Sequence, residues 1–123
     1  MEQALKFEIM HKDDVIGKVE FNRKTQQLLV EDNSTNFLDA GLVRRLIGGN
    51  CEDLQDWFED RCFLRTRADK DLLLTGLGLK EYAPYNIVRK THGVLFEDNY
   101  WARFNDENEL KWSDVDPRRN DYS

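Results

Sequence analysis

Two cysteines and two histidines are the side chains of this 123-residue chain best suited to metal binding or nucleophilic chemistry. They are Cys51, Cys62, His11 and His92. Ten residues separate the two thiols, and neither belongs to a Cys-x-x-Cys pair of the kind that holds zinc. A cysteine nucleophile would also need a base and an orienting partner, which the sequence does not locate. We therefore expect Cys62 in the core, Cys51 at a helix start, both histidines in surface or loop positions, and no metal or cofactor.

Sequence motifs of the common catalytic and nucleotide-binding sites are missing from the chain. It contains no G-x-x-x-x-G-K-[ST], no G-x-G-x-x-G, no G-x-S-x-G and no H-E-x-x-H. Gly76 and Gly78 resemble part of a nucleotide-binding loop, but we expect them to end a helix, whereas such a loop precedes one. The sequence thus predicts a protein that is not an enzyme and that acts by binding another macromolecule.

The charge of the chain limits the kind of macromolecule that it can bind. A formal net charge of -6 at pH 7 repels nucleic acid and anionic lipid and attracts basic surfaces. No stretch approaches the roughly 18 consecutive apolar residues of a transmembrane helix. The start of the chain lacks the basic and apolar regions of a signal peptide. We expect a cytoplasmic protein with reduced thiols whose partner is a protein with a basic surface, and no direct contact with nucleic acid or membrane.

Negative charge is concentrated in two segments. Residues 39–60 carry six acidic side chains against two arginines, and residues 97–121 carry eight against four basic ones. Such segments are either solvated surface or a face that imitates the spaced charge of a nucleic-acid backbone and binds a basic partner. On the second interpretation, the predicted partner-binding residues are Glu52, Asp53, Asp56, Glu59, Asp60, Asp106, Glu107, Glu109 and Trp112. Trp112 is either the aromatic anchor of this surface or a residue that fixes the C-terminal segment.

A short basic stretch lies between the two acidic segments. It consists of Arg61, Arg65, Arg67 and Lys70. Arg44 and Arg45 belong to it as well if the fold brings them close. These side chains either balance the neighbouring carboxylates in surface ion pairs or form a site that binds a carboxylate or phosphate through the guanidinium fork. We expect charge balance.

The hydrophobic pattern predicts an α+β fold. In the first thirty residues, apolar and polar residues alternate as they do in half-buried strands. Polar breaks at 12–14 and 22–25 divide this region into a three-stranded antiparallel meander. After it we expect three to four short helices and a short aromatic segment at 100–104, strand or helix, that docks on the core. The predicted domain spans residues 1–104, and residues 105–123 form a polar, acidic C-terminal extension.

Capping residues mark where the first two helices begin. Residues 33–36 supply the cap of a helix on which apolar residues recur near helical spacing from Phe37 to Ile47. Asn50 is the predicted cap of the acidic helix, whose apolar stripe we expect to face the core. The stripe consists of Leu54, Trp57, Phe58 and Cys62.

Two further helices are predicted downstream. Thr66, with Asp69 three residues later, resembles a capping box, and the glycines at 76 and 78 are candidates for the end of that helix. Pro84 fits the first turn of the next helix, and a glycine nine residues later fits its end. Trp57 and Trp101 are expected in the core.

A succession of short motifs carries a family resemblance. The chain reads L-x-x-W-F-x-x-R at 54–61, R-x-R at 65–67, L-L to L-G-L at 73–79, I-V at 87–88 and N-Y-W at 99–101. Together with M-H-K-D-D-V-I-G near the start, this succession resembles the N-terminal region of HipA-like kinase proteins of Firmicutes and their mobile elements. The resemblance implies a regulatory region, and no catalytic residue can be carried over from it.

Two functional hypotheses follow. The chain ends about twenty residues after Trp101, so we expect no room for the kinase part of the family. The first hypothesis is a phage or mobile-element inhibitor or regulator, anti-CRISPR-like, that engages a basic nucleic-acid-handling host protein, such as a CRISPR nuclease, through an acidic face. The alternative is an antitoxin-like regulatory subunit of a HipA-type kinase.

Overall fold

Three antiparallel strands open the chain, and the fold is α+β, as the hydrophobic pattern predicts. The computed structural model describes residues 4–62, 66–95 and 98–116. The strands in these ranges are β1 (Ala4–His11), β2 (Asp14–Asn22), β3 (Gln27–Asp32) and β4 (Tyr100–Phe104). The helices are α1 (Phe37–Arg44), α2 (Cys51–Asp60), α3 (Lys70–Gly76), α4 (Pro84–Thr91) and the single-turn α5 (Trp112–Val115). Within the described ranges, every helix falls short of the length and apolar character that crossing a bilayer requires.

The aromatic segment near the end of the chain is a strand. β4 runs antiparallel to β1, with Phe104 opposite Phe7 and Tyr100 opposite His11. The sheet order is therefore β3-β2-β1-β4, and every neighbouring pair is antiparallel. The first strand of the meander thus lies inside a four-stranded sheet, with the last strand of the chain as one of its neighbours.

A β-bulge in β2 explains why two apolar residues follow each other there. Ile9 pairs with Gly17, but Met10 pairs with Val15, which leaves Ile16 as the extra residue of the bulge. Val15 then packs with Met10 on one face of the sheet, while Ile16 joins the core on the other. The bulge lets neighbouring residues of one strand serve two separate apolar clusters.

The larger cluster lies on the sheet face that the helices cover, and α1 to α4 all contribute to it. Phe7 is at its centre, with ring centroids 5.3 Å from Trp57, 5.4 Å from Phe58 and 5.6 Å from Phe104. Trp57 and Trp101 are fully buried, as predicted. α1 approaches the sheet at Gly17, where an added Cβ would lie 2.9 Å from Val43 Cγ1, so this position has no room for a side chain.

The opposite sheet face has a smaller cluster at one end and an open groove beside it. Met10, Trp101 and Val115 are buried together there, with Trp112 and Leu110 packed against them. Residues 105–116 are thereby held against the sheet. The groove, of about 460 Å³, is lined mainly by charged side chains and by one exposed leucine. These lining residues include Lys6, Glu8, Lys18, Glu20, Leu29 and Arg103.

Two predicted helix starts are confirmed and one is wrong. Asn36 and Asn50 both accept hydrogen bonds from backbone N–H groups of the first turn, and Asn50 forms a complete capping box with Asp53. The predicted capping box from Thr66 is absent, because α3 begins only at Lys70, with Asp69 as its N-cap. The Asp69 carboxylate accepts a hydrogen bond from Arg67 Nε at 2.6 Å instead of reaching back to Thr66.

Helix α4 agrees with the sequence at its start and at its end. Pro84 occupies the first turn of α4, as predicted. The helix ends at Thr91, with His92 as its C-cap at φ 61°, and the predicted Gly93 follows in the left-handed region with φ 70°. His92 N–H still bonds to Val88 O, so the end is properly capped.

Helix α1 does not bury the apolar face that its sequence suggests. Its buried residues are Asp39, Ala40 and Val43, whereas Phe37 is 91% exposed and Leu38 is 77% exposed. The apolar residues that recur near helical spacing are therefore not all on the buried side of α1. The cause is a carboxylate on the inner face of the helix, described below.

Candidate partner-binding surface

Helix α2 presents carboxylates on the side opposite its buried stripe. Its buried residues are Leu54, Trp57 and Phe58. Its exposed acidic residues are Glu52, Asp56, Glu59 and Asp60. Asp53 is half-buried and belongs to the helix start, because Asn50 N–H donates to its Oδ2 at 2.9 Å and its own N–H donates to Asn50 Oδ1 at 3.1 Å. Of the five acidic residues predicted on this helix, four thus face solvent and one has a structural role.

Two arginines at the end of α1 are paired with carboxylates of other elements. Arg45 Nη2 lies 2.6 Å from Asp60 Oδ2, which ties the end of α1 to the end of α2. Arg44 Nε donates to Asp32 Oδ2 at 2.9 Å, which ties α1 to β3. Hydrogen bonds from the Ser34 hydroxyl and from Arg44 lower the pKa of Asp32 to about 2. Both arginines therefore balance charge within the protein, as predicted.

The predicted C-terminal acids contact α4. Both oxygens of Asp106 accept hydrogen bonds from Arg89, at 2.9 and 2.7 Å, and these bonds hold the pKa of Asp106 below its usual value. Glu107 Oε2 lies 3.0 Å from His92 Nε2. Arg89 also stacks on the ring of Phe104, with its guanidinium carbon 4.5 Å from the centroid. Glu109 is also exposed, and among the described residues no hydrogen bond or ion pair joins it to α4.

The two acidic segments are thus anchored to different elements. Asp60 of the first segment pairs with α1, while Asp106 and Glu107 of the second pair with α4. The predicted acidic face, which would join the two segments, stays a prediction.

Trp112 lies at the start of α5 and is partly buried. Its backbone N–H donates to Asp13 Oδ1 at 2.8 Å, and its indole packs against the cluster of Met10, Trp101 and Val115. This position corresponds to the alternative interpretation, in which Trp112 fixes the C-terminal segment to the sheet. The exposed part of the indole can still be contacted from outside.

A buried carboxylate sets the orientation of α1. Asp39 is only 3% exposed, and its Oδ1 accepts a hydrogen bond from the hydroxyl of Tyr100 at 2.7 Å. His11 Nδ1 lies 3.5 Å from the same oxygen, and Asn36 Nδ2 donates to Oδ2 at 2.9 Å. Because Asp39 is held against the sheet in this way, Phe37 and Leu38, on the other side of the helix, face solvent.

Tyr100 connects this carboxylate to a second buried network. Its backbone N–H donates to Asp98 Oδ1 at 3.1 Å, and its carbonyl oxygen accepts from Arg61 Nη2 at 2.7 Å. Burial and the neighbouring Asp39 carboxylate raise the pKa of Tyr100 to about 12. The phenol is therefore a hydrogen-bond donor at neutral pH.

Arg61 is a buried structural residue. It is 5% exposed and forms a bidentate pair with Asp98, with nitrogen–oxygen distances of 2.9 and 2.8 Å, while its Nε donates to Gly93 O at 2.9 Å. Burial acts to raise the pKa of Asp98, but the hydrogen bonds from Arg61 outweigh it and the pKa lies below its usual value.

The other arginines of the basic stretch are Arg65 and Arg67. Arg67 pairs with Asp69, and Arg65 lies outside the described residues. Arg67 thus forms the expected surface ion pair with a neighbouring carboxylate, whereas Arg61 is buried and pairs with a distant one.

The cysteines and histidines do not come together as a metal site. Cys62 is buried and Cys51 lies in the first turn of α2, and the two are not joined by a disulfide. His11 lies beside Asp39, whereas His92 lies beside Glu107. Among residues 4–62, 66–95 and 98–116, no group of three or more His, Cys, Asp or Glu side chains is arranged to hold a metal ion.

Comparison of the chain with protein-family models, with curated proteins and with solved structures finds no match. The resemblance to HipA-like N-terminal regions therefore stays a prediction. Several residues of the motifs behind this resemblance have structural roles. Trp57 and Trp101 are fully buried, and Arg61, in the motif at 54–61, is hydrogen-bonded to Asp98, which precedes the motif at 99–101.

Proposed function

We propose that this chain is a non-catalytic protein-binding module whose contact surface combines Phe37 and Leu38 with the exposed carboxylates of α2. The observation that carries the proposal is the 91% exposure of Phe37 beside Leu38, which is 77% exposed. Single exposed apolar side chains are common on protein surfaces. Here, however, two neighbours stand on a helix that Asp39 fixes in place. Rigid aromatic and aliphatic side chains lose little entropy when a partner covers them.

The exposed carboxylates of α2 favour a basic partner. Glu52 and Asp56 are exposed, and the net charge of -6 attracts positively charged surfaces over long distances. The ion pair between Arg45 and Asp60 joins the C-terminal ends of α1 and α2. The proposed partner spans both helices. We leave Asp106 and Glu107 out of the proposed surface, because Arg89 forms ion pairs with both carboxylates.

A basic, nucleic-acid-handling protein is the class of partner that these features favour. Its nucleic-acid site carries the positive charge that an acidic surface can occupy, and an apolar pocket within that site would accept the Phe37 ring. The proposed role is that of an inhibitor or regulator from a phage or mobile element, of the anti-CRISPR type. A CRISPR nuclease is one example of such a target.

An affinity pull-down from host lysate tests this proposal. Wild-type chain is compared with the double variants Phe37→Glu/Leu38→Glu and Glu52→Lys/Asp56→Lys. We expect wild type to retain a nucleic-acid-binding protein, both variants to lose it, and retention to weaken as salt rises.

Two substitutions on α3 serve as matched controls. Leu72→Glu changes an exposed apolar residue and Asp71→Lys an exposed acidic one, and both should bind as wild type does. The proposal is rejected if wild type retains no nucleic-acid-binding protein, or if both double variants bind as tightly as the controls.

A second candidate function is an antitoxin-like regulatory subunit of a HipA-type kinase. It is supported by the motif succession and by the contact between Arg61 and Asp98, which joins the two ends of that succession in space. The two candidates name different partners. Co-expression with a HipA-type kinase should give a stable complex and reduced kinase activity, and a kinase that neither binds nor responds would exclude this candidate.

A further inference from the structure

The two edges of the sheet differ in how their backbone groups are used. At the β4 edge, Ala102 N–H donates to His92 O at 2.8 Å, and Tyr100 O accepts from Arg61 Nη2 at 2.7 Å. The backbone groups of Tyr100 and the N–H of Ala102 are thereby engaged within the chain. Another strand cannot pair with this edge without displacing Arg61 and the end of α4.

The β3 edge has no such cover in the described part of the chain. Asn33 N–H donates to Ile16 O at 2.9 Å, next to the pair formed by Asp32 and Gly17. Hydrogen-bonded and non-hydrogen-bonded pairs alternate along antiparallel strands. The backbone groups of Leu29 and Glu31 therefore point toward β2, and those of Leu28 and Val30 point outward. Among the described residues, no hydrogen bond reaches these outward groups.

The side chains of β3 do not discourage strand pairing either. Its sequence, Gln-Leu-Leu-Val-Glu-Asp, contains no proline and no lysine, and its pairing with β2 shows no bulge. Leu29 is 51% exposed on the groove side of the sheet. An unpaired edge with an exposed leucine at its middle is a template for a further strand.

We propose that a second copy of this chain pairs antiparallel with β3, about a two-fold axis that passes beside Leu29. In this register, Leu29 lies opposite Leu29 of the second copy, as a non-hydrogen-bonded pair whose side chains approach closely. Leu28 lies opposite Val30 of the second copy, and the two symmetric pairs supply about four backbone hydrogen bonds. The two sheets then form one continuous eight-stranded sheet.

Side-chain matching favours this register over those in which the axis is displaced toward Glu31. With the axis beside Leu29, Gln27 faces Glu31 of the second copy, and no like charges lie opposite each other. An axis beside Val30 would place Leu29 opposite Glu31, and an axis beside Glu31 would place two carboxylates together. We choose a second copy of the chain as the partner of this edge because the exposed Leu29 side chains of two copies can pack against each other.

The proposed contact is small. A six-residue strand edge offers less than the roughly 1,600 Å² of total buried surface in a standard stable interface. We therefore expect a reversible dimer that is populated near ~1 mM chain and dissociated near ~1 µM.

Analytical ultracentrifugation of the 123-residue chain over this range tests the proposal. Leu29→Lys and Leu29→Glu each place like charges across the axis and should weaken association roughly tenfold. An equimolar mixture of the two variants places Lys opposite Glu and should restore the dimer. The same pair of substitutions at exposed Leu72 of α3 is the control and should leave association unchanged.

Val30→Pro provides a second test of the strand pairing. It removes an outward N–H that β2 does not use, so the fold should persist while the dimer is lost. Circular dichroism at low concentration checks the fold of each variant. A wild type that stays monomeric at ~1 mM would overturn the proposal. Folded Leu29 variants that dimerise individually as wild type does would overturn it as well.

Discussion

The carboxylate of Asp98 accepts hydrogen bonds from both terminal nitrogens of Arg61, at 2.9 and 2.8 Å, although the two residues are 37 positions apart in the chain. The same guanidinium bonds to the carbonyl oxygens of Gly93 and Tyr100. One side chain therefore connects the end of α2, the turn after α4 and the edge of β4. This contact fixes the position of the last strand relative to the helices.

Removal of Arg61 should destabilise the fold strongly. We expect Arg61→Ala to lower the free energy of unfolding by about 3 kcal/mol, because it leaves Asp98 and two buried carbonyls without their partner. Arg61→Lys should recover only part of this loss, since lysine lacks the bidentate fork. Urea unfolding monitored by tryptophan fluorescence measures both values. Arg67→Ala, which breaks the exposed pair with Asp69, is the control and should cost less than ~1 kcal/mol.

Acid should weaken the fold between about pH 4 and pH 2. The pKa of Asp32 falls from 3.8 to about 2 on folding, so the folded chain binds this proton less readily than the unfolded chain. The stabilisation is complete above pH 4 and is lost as the pH falls toward 2. Asp32→Asn should therefore make the fall of unfolding free energy shallower in this window. Ser34→Ala and Arg44→Ala remove the groups that lower this pKa, and a profile as steep as that of wild type in all three variants would contradict the assignment.

A rise in pH above about 10 should destabilise the folded chain through ionisation of Tyr100. Its pKa rises from 10.0 to about 12 on folding, so its contribution to stability is complete below pH 10 and is lost as the pH rises toward 12. Ultraviolet titration of tyrosinate should show one of the four tyrosines ionising late. Tyr100→Phe should remove that late step. Its persistence in the variant would assign it to another tyrosine.

The orientation of α1 can be tested by comparing its two sides. Phe37→Gln and Leu38→Gln should change the free energy of unfolding by less than ~0.5 kcal/mol, because both side chains already face water. Val43→Ala, on the buried side, should cost about 2 kcal/mol through the cavity that it leaves. Equal losses on both sides, measured by chemical denaturation, would mean that Phe37 and Leu38 are covered in solution.

Features that depend on neighbouring residues were predictable from the sequence. The alternation of apolar and polar residues in the first thirty positions predicts the three-stranded meander, which the structure has. Asn50 caps α2 by accepting hydrogen bonds from the N–H groups two and three positions after it. Pro84 likewise occupies the first turn of α4. Each of these outcomes depends on contacts over a few positions, and for that reason pattern and propensity are sufficient.

Features that depend on distant residues were not predictable. Asp39 is buried because Tyr100, 61 positions away, donates to it, and no local pattern marks this aspartate as an inner-face residue. The exposure of Phe37 follows from that contact and was missed with it. For the acidic surface, the sequence shows the carboxylates of Asp60 and Asp106 but not the arginines that balance them.

The pairing of β4 with β1 also determines the order in which the fold can be completed. Phe7 and Phe104 are neighbours in the sheet, yet ribosomes add about 5–20 residues per second, so roughly five to twenty seconds separate their synthesis. During that interval, the meander leaves the ribosome with the backbone of β1 unpaired on one side. Until residue 100 is synthesised, the nascent chain therefore exposes the unpaired edge of an apolar strand to chaperones and to other nascent chains. Pairing of β4 with β1 then covers this edge.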